Sequence, residues 1–260
     1  MTWHEWRHAP VCDYAVLGDP IHHSRSPQMH QAAYQALGLD LSYQAIRVAL
    51  DEFGPAIERL TALGVKGVNC TLPLKGAART WANERGGLTG EDKGCLPGPW
   101  SANTLNLLTE QGISTDEGGF LSLVRTLAPQ GNPRILLLGA GGTGQALVHR
   151  LVQEDWSVSV WNRTPGRWEA LLDGELDKVQ IQTEISLKGI DILVNATSSG
   201  LTGGPLPIPW EEASGRLTAF DLLYGKETEF LLNARERQIP CADGAVMLME
   251  QGALSFEWWL

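Results

Sequence analysis

Short stretches with the two-residue period of a β-strand alternate along this chain with longer stretches whose apolar residues fall on one helical face. This alternation predicts an α/β protein. The strands predicted in the first half are residues 13–17, 41–48, 65–70 and 103–108. One helix is predicted to open at Ser26-Pro27, with the serine as N-cap, and to end at Gly38, and a second helix is predicted to end at Gly64.

The second half continues the same alternation, with strands predicted at residues 134–138, 158–161, 191–194 and 217–222. A helix with Phe120 and Leu123 on its apolar face precedes them, and another is predicted over residues 145–152. The C-terminal segment from Gly244 also has helical spacing. Between the two halves, residues 86–100 are rich in glycine and proline, which predicts a long loop.

Composition narrows the range of partners. The 260 residues have a formal net charge of −10, which argues against nucleic acid or an anionic membrane surface as a partner. No apolar stretch approaches a membrane span, and the N-terminal residues lack the apolar core of a signal peptide. No metal is expected, because His22, His23 and His30 lack a ligand pattern. The cysteines form no CxxC pair, which is typical of reduced thiols in a cytoplasmic protein; they are Cys12, Cys70, Cys95 and Cys241.

A glycine-rich segment indicates a nucleotide site in the second half. It reads Gly139-Ala140-Gly141-Gly142-Thr143-Gly144, follows an apolar strand and opens a helix, which is the context that a G-x-G-x-x-G motif requires. Glycines let the backbone turn and approach a pyrophosphate, and the helix N-terminus favours the anion. The segment therefore predicts a Rossmann-type domain with a parallel sheet.

The end of the next strand indicates which dinucleotide would bind. Proteins that bind NAD usually place a carboxylate there for the ribose hydroxyls, whereas this chain has Asn162-Arg163-Thr164 followed by Arg167. Two guanidinium groups could clamp a 2′-phosphate, which favours NADP, although solvated loop arginines would give the same pattern. After the following strand, the polar segment that includes Thr197 and Ser198 suits close approach to a nicotinamide ribose.

Candidate chemistry in the first half lies at helix starts. Ser24 and Ser26 place two hydroxyls at a predicted helix N-terminus, which suits a carboxylate, although Ser26 could serve as an N-cap alone. Lys75 follows a proline-stiffened turn and lies at the expected start of a helix, where the helix dipole disfavours its charged form. Asp116 falls within a capping-box pattern at residues 114–117, and it is a candidate partner for Lys75 that the local pattern leaves undecided.

Taken together, these segments resemble the shikimate dehydrogenase family. Residues 18–27 resemble its substrate loop, and residues 67–75 resemble its G-x-N-V-T-x-P-x-K segment, with Cys70 in the valine position. The match runs in the family's order from about Asp13 to the C-terminus. The other segments that carry it are residues 102–104, 115–116, 139–144, 162–164, 195–200, 221–224 and 244–251.

The resemblance implies a substrate and a role for each site residue. The substrate would be a small carboxylated cyclohexene whose carboxylate is held by Ser24 and Ser26, with Tyr224 nearby. Lys75 and Asp116 would form the catalytic pair, and NADPH would deliver hydride to the C3 carbonyl of 3-dehydroshikimate. The residues implied to contact the ring hydroxyls are Asn69, Thr71, Asn103 and Gln251.

The resemblance also implies a discontinuous domain layout. Residues 1–114 and 240–260 would form an α/β substrate-binding catalytic domain, and residues 115–239 the NADP-binding Rossmann domain. The active site would lie in the cleft between them, in a cytoplasmic monomer or homodimer that serves chorismate and aromatic amino acid biosynthesis. Trp258-Trp259 is interpreted as a contact for another domain or subunit.

Alternative functions stay open at this point. The protein could be a sister enzyme that acts on quinate or aminoshikimate. It could also be a methylene-tetrahydrofolate dehydrogenase, which is another two-domain enzyme with a catalytic lysine. A non-catalytic NADP(H)-binding regulator could share the fold. The chain departs from the family at Ser114, where asparagine is usual, at Gln31, and at Gly225-Lys226, which replaces Asn-Pro beside Tyr224. Residues 90–101 also fit the family poorly.

Overall fold

The computed structural model describes residues 2–88, 102–127, 132–154, 156–172, 176–199 and 204–260. The chain divides into two compact units: unit 1 comprises Met1–Gly119 and Leu248–Leu260, and unit 2 comprises Phe120–Met247. Both divisions fall inside helices, whereas the sequence placed the boundaries at 114/115 and 239/240. Most of the loop predicted at residues 86–100 lies outside the described residues, as do Cys95 and Gly200.

Unit 1 is built on a mixed six-stranded sheet with the order β1-β3-β2-β4-β5-β6. Its strands are β1 (Trp3–Glu5), β2 (Tyr14–Gly18), β3 (Tyr43–Arg47), β4 (Gly67–Cys70), β5 (Thr104–Asn106) and β6 (Gln111–Ile113). The first four strands in this order are parallel, whereas β5 runs antiparallel to both β4 and β6. This register sets Asn69 beside Val16 on one side and beside Thr104 on the other.

Unit 2 is built on a fully parallel six-stranded sheet with the order β12-β11-β10-β7-β8-β9. Its strands are β7 (Arg134–Leu138), β8 (Ser157–Trp161), β9 (Val179–Ile181), β10 (Ile192–Asn195), β11 (Thr218–Asp221) and β12 (Cys241–Ala242). In this doubly wound order, the chain builds the sheet outward from β7 to β9 and then continues on the other side of β7 with β10. A ligand crevice forms outside the carboxyl ends of the strands where the strand order switches in this way. The sheet of unit 2 is therefore the predicted Rossmann type.

The helices of the described residues complete both units. They are α1 (Ser26–Ala36), α2 (Phe53–Ala62), α3 (Lys75–Asn83), α4 (Asp116–Leu127), α5 (Gly142–Gln153), α6 (Glu229–Glu236) and α7 (Ala245–Trp259). Within the described ranges, no helix has both the length and the apolar run that crossing a membrane needs.

Unit 1 has apolar clusters on both faces of its sheet. One cluster joins β2 and β4 to α2 and α3 and includes Leu17, Leu60 and Ala78. The other surrounds Tyr14 and Tyr34 and receives Phe256 and Trp259 from α7. Because both faces are covered, all five residues of β2 are buried, as expected for parallel strands.

Every strand that the periodicity predicted is present, within one or two residues at its ends. The prediction missed β1, β6, β9 and β12, which have only two or three residues and so too few positions to show a period. It also missed α6, a helix of eight residues. Trp259 packs within unit 1, where its ring stacks on that of Tyr14 with 4.6 Å between the centroids, and the interpretation of Trp258-Trp259 as a contact for another domain or subunit stays a prediction.

Candidate active site

A buried ion pair lies where two helices of unit 1 begin. Lys75 is the first residue of α3, Asp116 is the first residue of α4, and Nζ of Lys75 donates a hydrogen bond to Oδ2 of Asp116. The two side chains are only 13% and 7% exposed. Water therefore screens the attraction between the two charges only weakly. The contact between Lys75 and Asp116, which the local sequence pattern left undecided, is present in the structure.

Asn103 holds the acid of this pair in place. Its Nδ2 donates to Oδ1 of Asp116 at 3.0 Å and to Oε1 of Gln251 at 3.3 Å. Its Oδ1 accepts from the backbone N–H of Thr115 at 2.7 Å, which fixes the first turn of α4 against β5. Both carboxylate oxygens of Asp116 thus have partners, one on α3 and one just before β5.

Asn69 is the centre of a second polar cluster, at the end of β4. Its Nδ2 donates to Oγ1 of Thr104 at 2.8 Å and to Oγ of Ser255 at 2.9 Å. Its Oδ1 accepts from the hydroxyl of Tyr43 at 2.6 Å. The Ser255 hydroxyl also donates to the backbone carbonyl of Gln251 at 2.9 Å, so α7 joins the Asn69 and Asn103 clusters.

The two serines of the predicted substrate loop are buried and close to each other. Ser24 and Ser26 are 4% and 5% exposed, and the backbone N–H of Ser26 donates to Oγ of Ser24 at 3.4 Å. The helix begins at Ser26 with Arg25 in the capping position, so the predicted N-cap role of Ser26 was wrong. Tyr43, whose phenol donates to Asn69, is fully buried with it in this region, and burial raises the pKa of that phenol well above its ordinary value.

Thr71 and His30 lie around the same region of unit 1. Thr71 follows β4, its backbone N–H donates to the carbonyl of Leu17 at 2.9 Å, and a Cβ on Gly18 would lie 2.5 Å from its Cγ2. The imidazole of His30 is parallel to the ring of Tyr43, with 4.2 Å between ring centroids. Burial lowers the pKa of His30 from 6.5 to about 4, so the ring is neutral at physiological pH.

The capping box predicted at residues 114–117 does not form. The described helix begins at Asp116, and Oγ of Ser114 is buried without a hydrogen-bond partner among the described residues. The helix thus begins two residues after Ser114, and the backbone N–H of Thr115, just before that start, donates to Oδ1 of Asn103. Glu117 is left as a buried acid with 2% of its surface exposed.

The glycine loop of unit 2 has the geometry that its motif predicts. Gly139 has φ of 107°, and a Cβ there would lie 2.9 Å from the carbonyl oxygen of Ala196. A Cβ on Gly144 would lie 2.3 Å from the carbonyl oxygen of Gly139, so only glycine permits this approach of α5 to the loop. At Gly141 and Gly142 a Cβ would meet no atom within 4 Å, which leaves open space at the start of α5.

Asn162 connects the glycine loop to the predicted phosphate clamp. Its Oδ1 accepts from the backbone N–H of Ala140 at 3.1 Å, and its Nδ2 donates to the carbonyl of Thr164 at 3.1 Å. Arg163 and Arg167 are exposed on this turn, as is Thr164, and their side chains are accessible to a ligand.

The polar segment after β10 forms a tight turn in unit 2. The hydroxyl of Thr197 donates to Oδ1 of Asn195 at 2.7 Å, and Ser198 is exposed. Tyr224, predicted near the substrate carboxylate, is half-buried in unit 2 after β11. The other substrate residues predicted from the sequence lie in unit 1.

Comparison with known proteins decides the family. A shikimate dehydrogenase NADP(+) of Methanothrix thermoacetophila is 36% identical over 258 residues, which cover 95% of this chain and 90% of the relative. The chain belongs to the shikimate dehydrogenase family. The family model for the shikimate dehydrogenase substrate binding domain matches residues 16–87.

Solved shikimate dehydrogenases share the whole fold. The enzyme of Aquifex aeolicus is 30% identical with a TM-score of 0.84, over 95% of this chain and 91% of that one. The enzyme of Thermus thermophilus, solved in complex with NADP(H) and shikimate, is 33% identical with a TM-score of 0.80, over 95% and 92% of the two chains. The fold class predicted from the sequence, α/β with a Rossmann-type unit, is confirmed.

The structure adds polar residues that the sequence did not single out. They share contacts with Asn69 or Asn103, and they are Tyr43, Thr104, Thr115 and Ser255. The spacing of Ser255, one helical turn after Gln251, was the one available signal, because residues four apart lie on the same helical face. Tyr43 and Thr104 lie within predicted strands, and the sequence around them gives no sign of a polar role.

Proposed function

We propose that this protein is an NADP-dependent shikimate dehydrogenase, which reversibly reduces 3-dehydroshikimate to shikimate in the synthesis of chorismate and the aromatic amino acids. The observation that carries the proposal is the buried ion pair of Lys75 and Asp116, held by Asn103, in a chain of this family. Burying two charges costs free energy because both lose their hydration. A non-catalytic regulator would have no need of this pair, whereas a dehydrogenase would use it.

We propose that two groups of side chains in unit 1 bind the substrate. Ser24 and Ser26 are buried hydroxyls at the start of α1, where the helix dipole favours a carboxylate. Tyr224 of unit 2 is proposed as a further carboxylate ligand, on the family resemblance. The residues proposed to contact the ring hydroxyls carry amide or hydroxyl groups, and they are Asn69, Thr71, Asn103 and Gln251.

Lys75 and Asp116 are proposed as the catalytic residues. The hydride comes from the nicotinamide of NADPH when that cofactor is bound. Lys75 polarises the ketone and gives a proton to its oxygen as the carbon receives the hydride, so the product is an alcohol and Lys75 is left neutral. In the reverse direction Lys75 takes the hydroxyl proton. Asp116, fixed by Asn103, keeps the ammonium group oriented throughout.

The residues of unit 2 fit the dinucleotide. Open space beside Gly141 and Gly142 at the start of α5 suits a pyrophosphate, since a helix N-terminus attracts anions. We propose that the backbone of residues 139–144 binds it and that Arg163 and Arg167 clamp the 2′-phosphate, with Asn162 and Thr164 shaping the turn. Thr197 and Ser198 are proposed to border the nicotinamide ribose.

Three further properties belong to the same proposal. We place the protein in the cytoplasm, which agrees with the free thiols of Cys12, Cys70 and Cys241 among the described residues. We propose a monomer or a homodimer. No partner is proposed apart from the carboxylated cyclohexene substrate and NADP.

Reduction of nicotinamide by the purified protein tests this function. Shikimate and quinate should be crossed with NADP and NAD in one steady-state experiment. We expect fast turnover with shikimate and NADP only. Turnover with quinate or NAD would assign the protein to a sister activity, and tight NADP binding without turnover on either acid would favour the regulator.

A further inference from the structure

The side-chain amide of Asn69 is hydrogen-bonded at both of its ends. Its Nδ2 donates to the hydroxyls of Thr104 at 2.8 Å and Ser255 at 2.9 Å, and a longer contact to the carbonyl of Asn103, at 3.4 Å, shares these protons. Its Oδ1 accepts from the phenol of Tyr43 at 2.6 Å. An amide oxygen has two lone pairs, so one lone pair of Oδ1 is left over among the described residues.

A backbone carbonyl sets the direction of these bonds. The hydroxyl of Ser255 donates its proton to the carbonyl of Gln251 at 2.9 Å, and a carbonyl can only accept. The Ser255 oxygen can therefore only accept from Asn69, so the end of the amide that faces α7 is its NH₂ group. The amide oxygen then lies at the other end, where the hydroxyl of Tyr43 must be the donor.

Tyr43 reaches Asn69 across a neighbouring strand. It lies on β3, and β2 separates this strand from β4, which carries Asn69. Neighbouring strands are about 4.8 Å apart, so the contact spans two such spacings and needs a side chain as long as tyrosine. The imidazole of His30 lies parallel to the phenol ring, with 4.2 Å between the centroids, and holds it in this direction.

We propose that Tyr43 is a positioning residue that fixes Asn69 as a hydrogen-bond acceptor, so that a ring hydroxyl of the substrate that does not react must donate to Oδ1 of Asn69. This inference rests on the proposed function, since it concerns how Asn69 recognises shikimate. Tyr43 itself contacts no substrate atom in this assignment. A substituent that cannot donate leaves the buried oxygen of Asn69 short of a partner, and such mismatches are strongly disfavoured.

The kinetics of Tyr43→Phe test the positioning role. The change keeps the ring and removes the hydroxyl, so the amide of Asn69 can turn and its oxygen is no longer preorganised. We expect the KM for shikimate to rise about five-fold, the equivalent of one net hydrogen bond. The kcat should stay the same, because a hydroxyl that does not react is bound equally in the ground state and the transition state.

Tyr34→Phe is the matched control for this variant. Tyr34 belongs to the same buried cluster as Tyr43, and its hydroxyl has no hydrogen-bond partner among the described residues. Its removal should change neither KM nor kcat. An unchanged KM in Tyr43→Phe, or an equal rise in Tyr34→Phe, overturns the proposal.

Fluorinated analogues of shikimate test the direction of the bond. In 4-deoxy-4-fluoroshikimate and 5-deoxy-5-fluoroshikimate, fluorine replaces a hydroxyl that does not react, and fluorine cannot donate a hydrogen bond. With the parent protein, one of the two should have a KM about five-fold higher than shikimate. For that analogue Tyr43→Phe should add no further loss, whereas for the other it should cost as much as for shikimate. Equal further losses for both would mean that Tyr43 acts through packing, and the proposal fails.

A measurement without turnover separates this inference from the proposed function. The side-chain carbonyl carbon of Asn69 can be followed by NMR in protein labelled with ¹³C at asparagine, with its signal assigned by its loss in Asn69→Asp. Such a carbon resonates further downfield when its oxygen accepts a hydrogen bond, so the signal should move upfield in Tyr43→Phe. A signal that stays in place overturns the inference, even in a protein that oxidises shikimate. An upfield shift supports the role of Tyr43 even if the substrate proves to be different.

The parent protein provides a second form of this measurement, which no folding defect of a variant can affect. Saturation with shikimate should move the Asn69 carbonyl signal downfield, because the oxygen gains a second donor, and leave the two Nδ2 protons near their positions. If bound shikimate shifts the Nδ2 protons and leaves the carbonyl signal in place, Asn69 donates to the substrate and the proposal fails.

Discussion

Gly67 leaves the space that the indole of Trp259 occupies. A Cβ on Gly67 would lie 2.4 Å from Nε1 of Trp259, and this Nε1 donates a hydrogen bond to the carbonyl of Leu105 at 3.0 Å. The last turn of α7 is thereby fixed to β4 and β5. Because α7 also carries Gln251 and Ser255, this contact sets where both side chains meet Asn103 and Asn69.

Replacement of Gly67 by alanine should therefore displace α7 at its C-terminal end. We expect Gly67→Ala to lower the free energy of unfolding by about 1–3 kcal/mol, the usual cost of overpacking, and to raise the KM for shikimate. Urea denaturation and steady-state kinetics measure the two effects. Gly54→Ala on α2 is the control, because a Cβ there meets nothing within 4 Å. Equal behaviour of both variants would show that Trp259 adapts without cost.

Ser255 should contribute to substrate binding through Asn69. In Ser255→Ala the amide of Asn69 keeps Thr104 as an acceptor but loses the hydroxyl at 2.9 Å. We expect the KM for shikimate to rise about five-fold, the equivalent of one net hydrogen bond, with the Kd for NADP unchanged. A loss that appears in NADP binding instead would mean that the variant perturbs unit 2.

Lys75→Ala removes the proposed proton donor. We expect kcat to fall by about 10²–10⁴-fold, the range of a general acid, and the Kd for NADP to stay within experimental error. Lys66→Ala is the control, since Lys66 is a more exposed lysine that pairs with Asp13 in the same unit. Retained turnover in Lys75→Ala would remove Lys75 from the mechanism.

Arg163→Ala tests the phosphate clamp. An arginine bound to the 2′-phosphate contributes a charge-assisted hydrogen bond, so we expect the Kd for NADP to rise roughly 10–100-fold. The Kd for NAD, which lacks that phosphate, should hardly change. Arg59→Ala, an exposed change on α2, controls for lost surface charge. Equal losses for NADP and NAD would contradict the clamp.

The buried imidazole of His30 should make the fold sensitive to acid. Its pKa is lowered from 6.5 to about 4, so the unfolded chain binds this proton more readily than the folded one. Stability from this group is complete above pH 6.5 and is lost as the pH falls towards 4, by up to about 3 kcal/mol.

His30→Gln should lack this part of the pH dependence, and urea denaturation between about pH 4 and pH 7 measures the difference in slope. His8→Gln, at an exposed histidine, should follow the parent protein. Parallel curves for His30→Gln and the parent would assign the acid sensitivity to other groups.

Much of the fold followed from local pattern. A strand is recognised by its run of apolar residues, as in β7 and β10, and a nucleotide loop by its glycines, as in residues 139–144. Both signals depend on only a few consecutive residues, so the sequence is enough to show them. For the same reason Lys75 and Asp116 could be named as candidates from the turn and the helix start beside each.

Contacts between distant residues were decided by the tertiary structure. Lys75 and Asp116 are 41 positions apart and Asn69 and Ser255 are 186 apart, so their contacts depend on strand order and on the path of α7. Ser114 was predicted to cap α4, whereas the helix begins two residues later, and Asn103 binds the N–H of Thr115 just before that start. The burial of Glu117 could not be read from its neighbours in the chain either. A local pattern records what a segment prefers, whereas partners and burial depend on which other segments pack against it.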